Sequence, residues 1–173
     1  MTATLTLHVD AAATCRWVPT ARAALRIKQL PFSERALDLA RGDQRQPDFV
    51  SRSLTATVPA LEHDGRIITE SLAIAEYLAE CFPFPAHPRL FPPDLGERAR
   101  ARQLMLWLRC APEATRPDAL VAMAERALGD RGTVASSWCI ADTDLAYALA
   151  HAQAAGLELP ASLAHHVRVA TAS

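Results

Sequence analysis

The dipeptide Asp64-Gly65 stands between two short apolar runs, VPALEH and RIIT. Such a turn needs positive φ, which glycine supplies, so the pair reads as a tight antiparallel hairpin. Glu70-Ser71 follows at once. Leu72, Ala75, Leu78, Ala79 and Phe82 then recur at helical spacing, so the hairpin leads directly into a helix.

Upstream, Ala3, Leu5, Leu7 and Val9 alternate with Thr4, Thr6 and His8, the pattern of a half-buried strand. From Arg16 to Leu30 the period becomes helical, with Val18, Ala21, Ala24 and Leu25 in one stripe, and Leu30-Pro31 ends it. Phe32 to Leu39 reads as a second strand. Residues 40–57 are polar and mostly irregular, with room for one helical turn. Strand, helix, strand predicts a parallel pair, which the hairpin extends into a larger sheet.

A proline-rich stretch, Pro83 to Pro93, reads as a stiff linker. Beyond it the pattern is helical. Ala101, Leu104, Met105 and Leu108 form one stripe. Asp118–Leu128 and Ile140–Ala155 are each closed by glycine, and a short helix spans Pro160–Val169. The expected organisation is an α/β domain at 1–83, a linker at 84–95 and an all-α domain at 96–173.

A net charge of -1 gives no reason to expect nucleic acid or an anionic membrane as a partner. No apolar run reaches the roughly 18 residues of a membrane span. MTATLTLHVD lacks the basic start and apolar core of a signal peptide, so a cytoplasmic setting is expected. Of the four cysteines none forms a CxxC pair, and no Cys/His spacing suits a metal. Cys81 and Cys110 fall within apolar helical patterns and are expected to be small buried hydrophobes.

Three segments together resemble the glutathione transferase superfamily: VPALEHDGRIITESLAIAEYL, LFPPDLGERARARQLMLWL and CIADTDLAYAL. They stand in the family's order over about residues 5–150. The resemblance implies a thioredoxin-like α/β domain followed by an all-α domain, here with a shortened helical half. It is closest to a bacterial subgroup with an SPY-like triplet after its first strand.

The resemblance also implies a set of site residues. Val58, before Pro59, would pair its main chain with the cysteine of glutathione. Pro59 would be cis, against the ordinary reading of a trans proline opening an edge strand. Ser71, at a helix N-terminus, would hold the γ-glutamyl carboxylate, with Glu70 orienting the ammonium group. The plain alternative is that Ser71 only caps its helix. Cys15 stands where the family places its thiol-activating residue, with Thr14 as a substitute hydroxyl donor. Arg16, not proline, follows Cys15, and proline comes only at Pro19. The helix then starts late with Cys15 in the loop, or Arg16 stabilises a thiolate by charge. Cys15 is either the active residue or a spectator thiol.

Asp142 is expected to be structural, answering a helix cap whose usual Ser or Thr is Cys139 here, so that either Ser136 or Ser137 replaces it or the cap is partly lost. The arginines between 98 and 109 read most simply as a solvated face, with the glutathione cleft or a dimer interface as the alternative for some. His165-His166 reads as an exposed turn, and Trp17, Trp107 and Trp138 as packing, with a cleft position as the alternative for Trp107. Three functions follow. The first is a glutathione transferase acting on a small electrophile, as a homodimer without metal. The second is a glutathione-dependent thiol–disulfide oxidoreductase or peroxidase using Cys15. The third is a non-catalytic glutathione-binding or interaction protein, favoured by the short helical half and the missing capping serine.

Overall fold

A computed structural model describes residues 4–111 and 116–171; Ala3 of the expected first strand lies outside them. The chain divides into two units, Met1–Pro88 and Arg89–Ser173.

The first unit runs β1 (Leu5–Asp10), α1 (Val18–Ile27), β2 (Phe32–Leu37), α2 (Pro47–Arg52), β3 (Ala60–His63), β4 (Arg66–Thr69) and α3 (Ser71–Cys81). The sheet order is β2-β1-β3-β4, with β1 and β2 parallel and the other pairs antiparallel. Asp64 and Gly65 both take positive φ (50° and 78°), the hairpin geometry that joins right-twisted strands. Together with the helical unit below, this thioredoxin-like mixed sheet has the expected glutathione transferase architecture.

Leu5, Leu7 and Val9 on one face of β1 belong to the core with Ala21, Ala24 and Leu25 of α1 and Ile74, Ala75 and Leu78 of α3. The opposite face of β1 is solvated only at its start, where Thr4 is exposed and Thr6 half-buried; contrary to expectation, His8 and Asp10 further along it are buried. The reason is α2, whose Phe49 joins Leu37, Ala60 and Ile67 in a second apolar cluster and meets the His8 ring edge-on at 5.4 Å. Arg52 of α2 bonds Glu62 at 2.6 Å, and Glu62 also bonds His8 Nε2 at 3.0 Å. Burial works to raise the Glu62 carboxyl, and the His8 and Arg52 hydrogen bonds outweigh it, holding the group below its ordinary range.

The inward stripe of α3 is Ser71, Ile74, Ala75 and Leu78, with Leu72 and Ala79 only half-buried. Cys81 is exposed, which corrects the expectation of a buried thiol. Lys28, at the end of α1, is almost fully buried and donates from Nζ to the Phe82 carbonyl at 2.6 Å.

The second unit contains α4 (Leu95–Cys110), α5 (Pro117–Leu128), α6 (Ile140–Ala154) and α7 (Ala161–Thr171). Leu90 and Phe91, from the proline-rich stretch, lie in its core beside the expected α4 stripe of Ala101, Leu104, Met105 and Leu108. Cys110, at the end of α4, is exposed, contrary to expectation.

Several arginines of α4 are structural rather than a solvated face. Arg98 donates to the Pro92 and Pro93 carbonyls and Arg100 to the last carbonyls of α5, while Arg109 pairs with the wholly buried Asp144. Asp142 accepts the Cys139 N–H at 2.9 Å and the Val134 N–H at 2.8 Å, so the acidic half of the cap is in place. Ser136 does not replace the missing capping hydroxyl, because Glu97 binds both its N–H and its Oγ. Burial, with the Asp142 charge beside it, pushes the Cys139 thiol up to about 12, so it stays protonated. His166 corrects a further expectation: it is buried on α7, bonds the Asp142 carbonyl at 3.0 Å and stacks on Trp138, while His165 is exposed.

Candidate functional site

Strand register brings the site residues to one edge of the sheet. His8 faces Ala60 across β1 and β3, and Ala60 faces Thr69 across β3 and β4. The loop leaving β1 at Asp10, the Val58-Pro59 pair entering β3 and the Glu70-Ser71 pair leaving β4 therefore emerge together. These are the segments that carry all six candidate residues.

The Val58-Pro59 peptide is cis. The Cys15 thiol donates to the Val58 carbonyl at 3.4 Å, across 43 residues of sequence. Cys15 is half-buried with a free thiol. It lies in the loop before α1, which begins only at Val18, with Trp17 at the cap position and Pro19 in the first turn. The late start matches the displaced proline, since proline is tolerated in a first turn and poorly further in.

Asp10 shapes that loop, and sequence reasoning passed it over. Its Oδ1 accepts the Ala12 N–H at 3.0 Å. Its Oδ2 accepts the Thr14 N–H at 2.8 Å, the Thr14 hydroxyl at 2.5 Å and the Cys15 N–H at 3.2 Å. The Thr14 hydroxyl bond, then the Ala12 amide, hold the Asp10 carboxyl below the ordinary aspartate range against the opposing effect of burial. Thr14 therefore does not act as a spare donor: its one hydroxyl proton is already given to Asp10. An aspartate followed by small residues and then a threonine is the available signal, because aspartate binds the amides just downstream of itself.

At the other end, Glu70 has φ 69° and its carbonyl accepts the Ile74 N–H at 2.9 Å, opening α3. Glu70 is exposed, and its Oε1 accepts from the hydroxyls of Thr57 at 3.2 Å and Thr55 at 3.5 Å. Ser71 is the first residue of α3 and is buried. Amides in a first helical turn have no carbonyl one turn back, so they face outward as donors for an anion, next to a carboxylate suited to a cation. The edge thus offers a thiol beside a backbone carbonyl at one end and paired anion and cation acceptors at the other. Among the described residues no group of three or more His, Cys, Asp or Glu side chains is placed to hold a metal. No helix among them is long and apolar enough to cross a membrane.

The family model described as the N-terminal domain of glutathione S-transferase matches residues 14–81. Glutathione S-transferase 1 of Dianthus caryophyllus is 39% identical over 93 residues, covering 54% of this chain and 40% of that protein. A maleylacetoacetate isomerase of Aspergillus fumigatus is 40% identical over 85 residues, covering 46% of this chain and 36% of its own. The chain thus spans about two fifths of the length of these curated relatives. A glutathione transferase homologue from Burkholderia, solved with bound glutathione, superposes with a TM-score of 0.82 at 34% identity, covering 98% of this chain and 92% of that one.

Proposed function

The chain belongs to the glutathione transferase superfamily, and from that membership we propose that it binds glutathione along this sheet edge and activates its thiol for attack on a small electrophile. The observation that carries the reading is the meeting of Cys15 with the Val58 carbonyl at the edge that also ends in Glu70 and Ser71. The Val58 main chain pairs with the cysteine of glutathione beside Pro59. The first turn of α3, with Ser71, takes the γ-glutamyl carboxylate, and Glu70 takes the ammonium. The thiol of glutathione then lies by Cys15 and gives its proton to solvent, while the Cys15 S–H turns from the Val58 carbonyl, now taken by the glutathione cysteine N–H, to the sulfur anion. That anion displaces a leaving group from the electrophile, giving the thioether and the departing anion. The setting we propose is cytoplasmic, with a homodimer as the assembly.

Thiol–disulfide exchange is the second reading, and one observation favours it: the Thr14 proton is committed to Asp10, so the reactive end of the site offers a thiol in place of a hydroxyl. In it the Cys15 thiolate attacks glutathione disulfide, forming the mixed disulfide and releasing one glutathione thiolate.

Titration calorimetry with reduced glutathione tests both readings. Binding with a dissociation constant in about the micromolar to millimolar range, weakened at least about tenfold in Ser71→Ala, is expected. A folded protein that takes up no glutathione would leave the edge as scaffold and the non-catalytic reading in its place. Turnover of an aryl halide and of glutathione disulfide then separates conjugation from exchange.

A further inference from the structure

Between Asp10 and Thr14 the chain reads Ala11, Ala12, Ala13, three side chains that can neither cap nor pair. Nothing in those residues specifies a loop, yet the loop has a defined shape. Ala11 continues the pairing with β2 through its N–H to the Leu37 carbonyl at 2.9 Å. The chain then turns back, with the Ala13 N–H on the Asp10 carbonyl at 3.0 Å and Ala13 itself at φ 56°, a conformation alanine adopts rarely. The backbone N–H groups of Ala12, Thr14 and Cys15 and the Thr14 hydroxyl all converge on the Asp10 carboxylate, which leaves the Cys15 thiol to the Val58 carbonyl.

We propose that Asp10 is the positioning residue of the site, its carboxylate gathering the backbone from Ala12 to Cys15 so that the Cys15 thiol is held against the Val58 carbonyl. This rests on the reading of Cys15 and Val58 as the thiol end of the glutathione site. The chemistry of the hub is specific to a carboxylate. An ionised carboxylate only accepts, and here its two oxygens take four donors. An asparagine of the same shape replaces one oxygen with an NH2 group. Turned one way, that group faces the Ala12 N–H; turned the other, it faces both amides and the hydroxyl on Oδ2. Asp10→Asn therefore breaks the hub while leaving the strand, its length and its burial almost unchanged. The role is also local. The Glu70-Ser71 end of the site is built on β4 and α3 and draws nothing from Asp10, so affinity for glutathione and delivery of its thiol are separable.

The test uses the full chain carrying Asp10→Asn, with Thr14→Val as the milder variant. Two readouts are taken. One is the split between kcat and KM for glutathione with an aryl halide. The other is the rate at which iodoacetamide alkylates Cys15, by peptide mapping, relative to the exposed Cys81 and Cys110. In Asp10→Asn, kcat is expected to fall by about tenfold or more with KM for glutathione within about threefold, as misplacement of a reacting group produces. Alkylation of Cys15 is expected to rise about threefold or more over the two reference thiols, because Cys15 leaves the Val58 carbonyl. Thr14→Val removes one donor of the four and should move both readouts the same way by less. It decides the matter if Asp10→Asn does not fold. Unchanged kcat with an unchanged alkylation ratio would overturn the proposal, and so would an equal rise at all three cysteines, which marks general loosening. If the unaltered protein binds no glutathione, the functional reading fails, and the alkylation ratio still decides the role of Asp10.

Discussion

The carboxylate of Asp144, wholly buried in α6, is met by both terminal nitrogens of Arg109 from α4, itself only 12% exposed. A planar guanidinium facing a carboxylate in this way satisfies both groups at once. Removing one partner leaves the other charge stranded out of water. Asp144→Ala should therefore cost about 3–5 kcal/mol of stability, read as a lower urea midpoint, whereas breaking an exposed pair such as Arg116 and Asp118 should leave the midpoint almost unmoved. A small effect at Asp144 would mean that water reaches the pair.

Lys28 is the corresponding test in the first unit. Its ammonium closes the end of α3 at Phe82, while the Lys28 carbonyl bonds Nδ1 of His87 at 3.0 Å. Lys28→Met keeps the apolar stem and volume but removes the charged donor from a carbonyl at a helix end. A loss of about 1.5–3 kcal/mol is expected in chemical denaturation, the usual worth of a hydrogen bond to a charged group.

What the sequence disclosed and what it concealed follow from the range of the interactions involved. The Asp64-Gly65 hairpin, the α4 stripe and the order of elements depend on neighbours within a few residues, and each is legible from spacing. Burial of His8 depends on α2, a six-residue helix some forty residues on, and no periodicity in β1 announces it. The α3 stripe is turned from the expected phase because Leu72, Ile74 and Ala79 are all apolar, and only packing chooses between them. Cys81 shares the phase of Ile74 and is exposed as the last residue of α3. His166 is legible by spacing: with Leu163, Val167 and Ala170 it completes an inward helical stripe. At the site, the resemblance points to Val58, Pro59, Glu70 and Ser71 and to Thr14 as a substitute hydroxyl donor, and nothing local shows that the Thr14 hydroxyl is bound by Asp10.

The Asp10 hub carries its own pH signature. Its carboxyl is held below the ordinary range chiefly by the Thr14 hydroxyl, so the folded value lies under the unfolded one. A group depressed in this way supports the fold above its unfolded pKa, about 3.9 for aspartate, and that support is lost as pH falls through the lower folded value. Carbon-detected NMR of the Asp10 carboxyl should show a midpoint below about 3.9, moving upward in Thr14→Val. A midpoint at the ordinary value in both proteins would mean that the hydroxyl bond does not form in solution.

Cys15→Ser separates the two chemistries open to the site. Serine keeps a single donor in place of the thiol, so the contact with the Val58 carbonyl survives with a slightly shorter side chain. If the residue serves by hydrogen-bonding the glutathione sulfur, the hydroxyl does the same work. Conjugation of an aryl halide should then stay within about tenfold of the unaltered protein, the worth of one hydrogen bond. A serine oxygen cannot form a mixed disulfide, so glutathione-disulfide exchange should vanish in the same variant. The expected pattern is conjugation retained and exchange abolished. Loss of conjugation by more than about a hundredfold, in a variant that still binds glutathione, would make the sulfur of Cys15 itself the reacting atom.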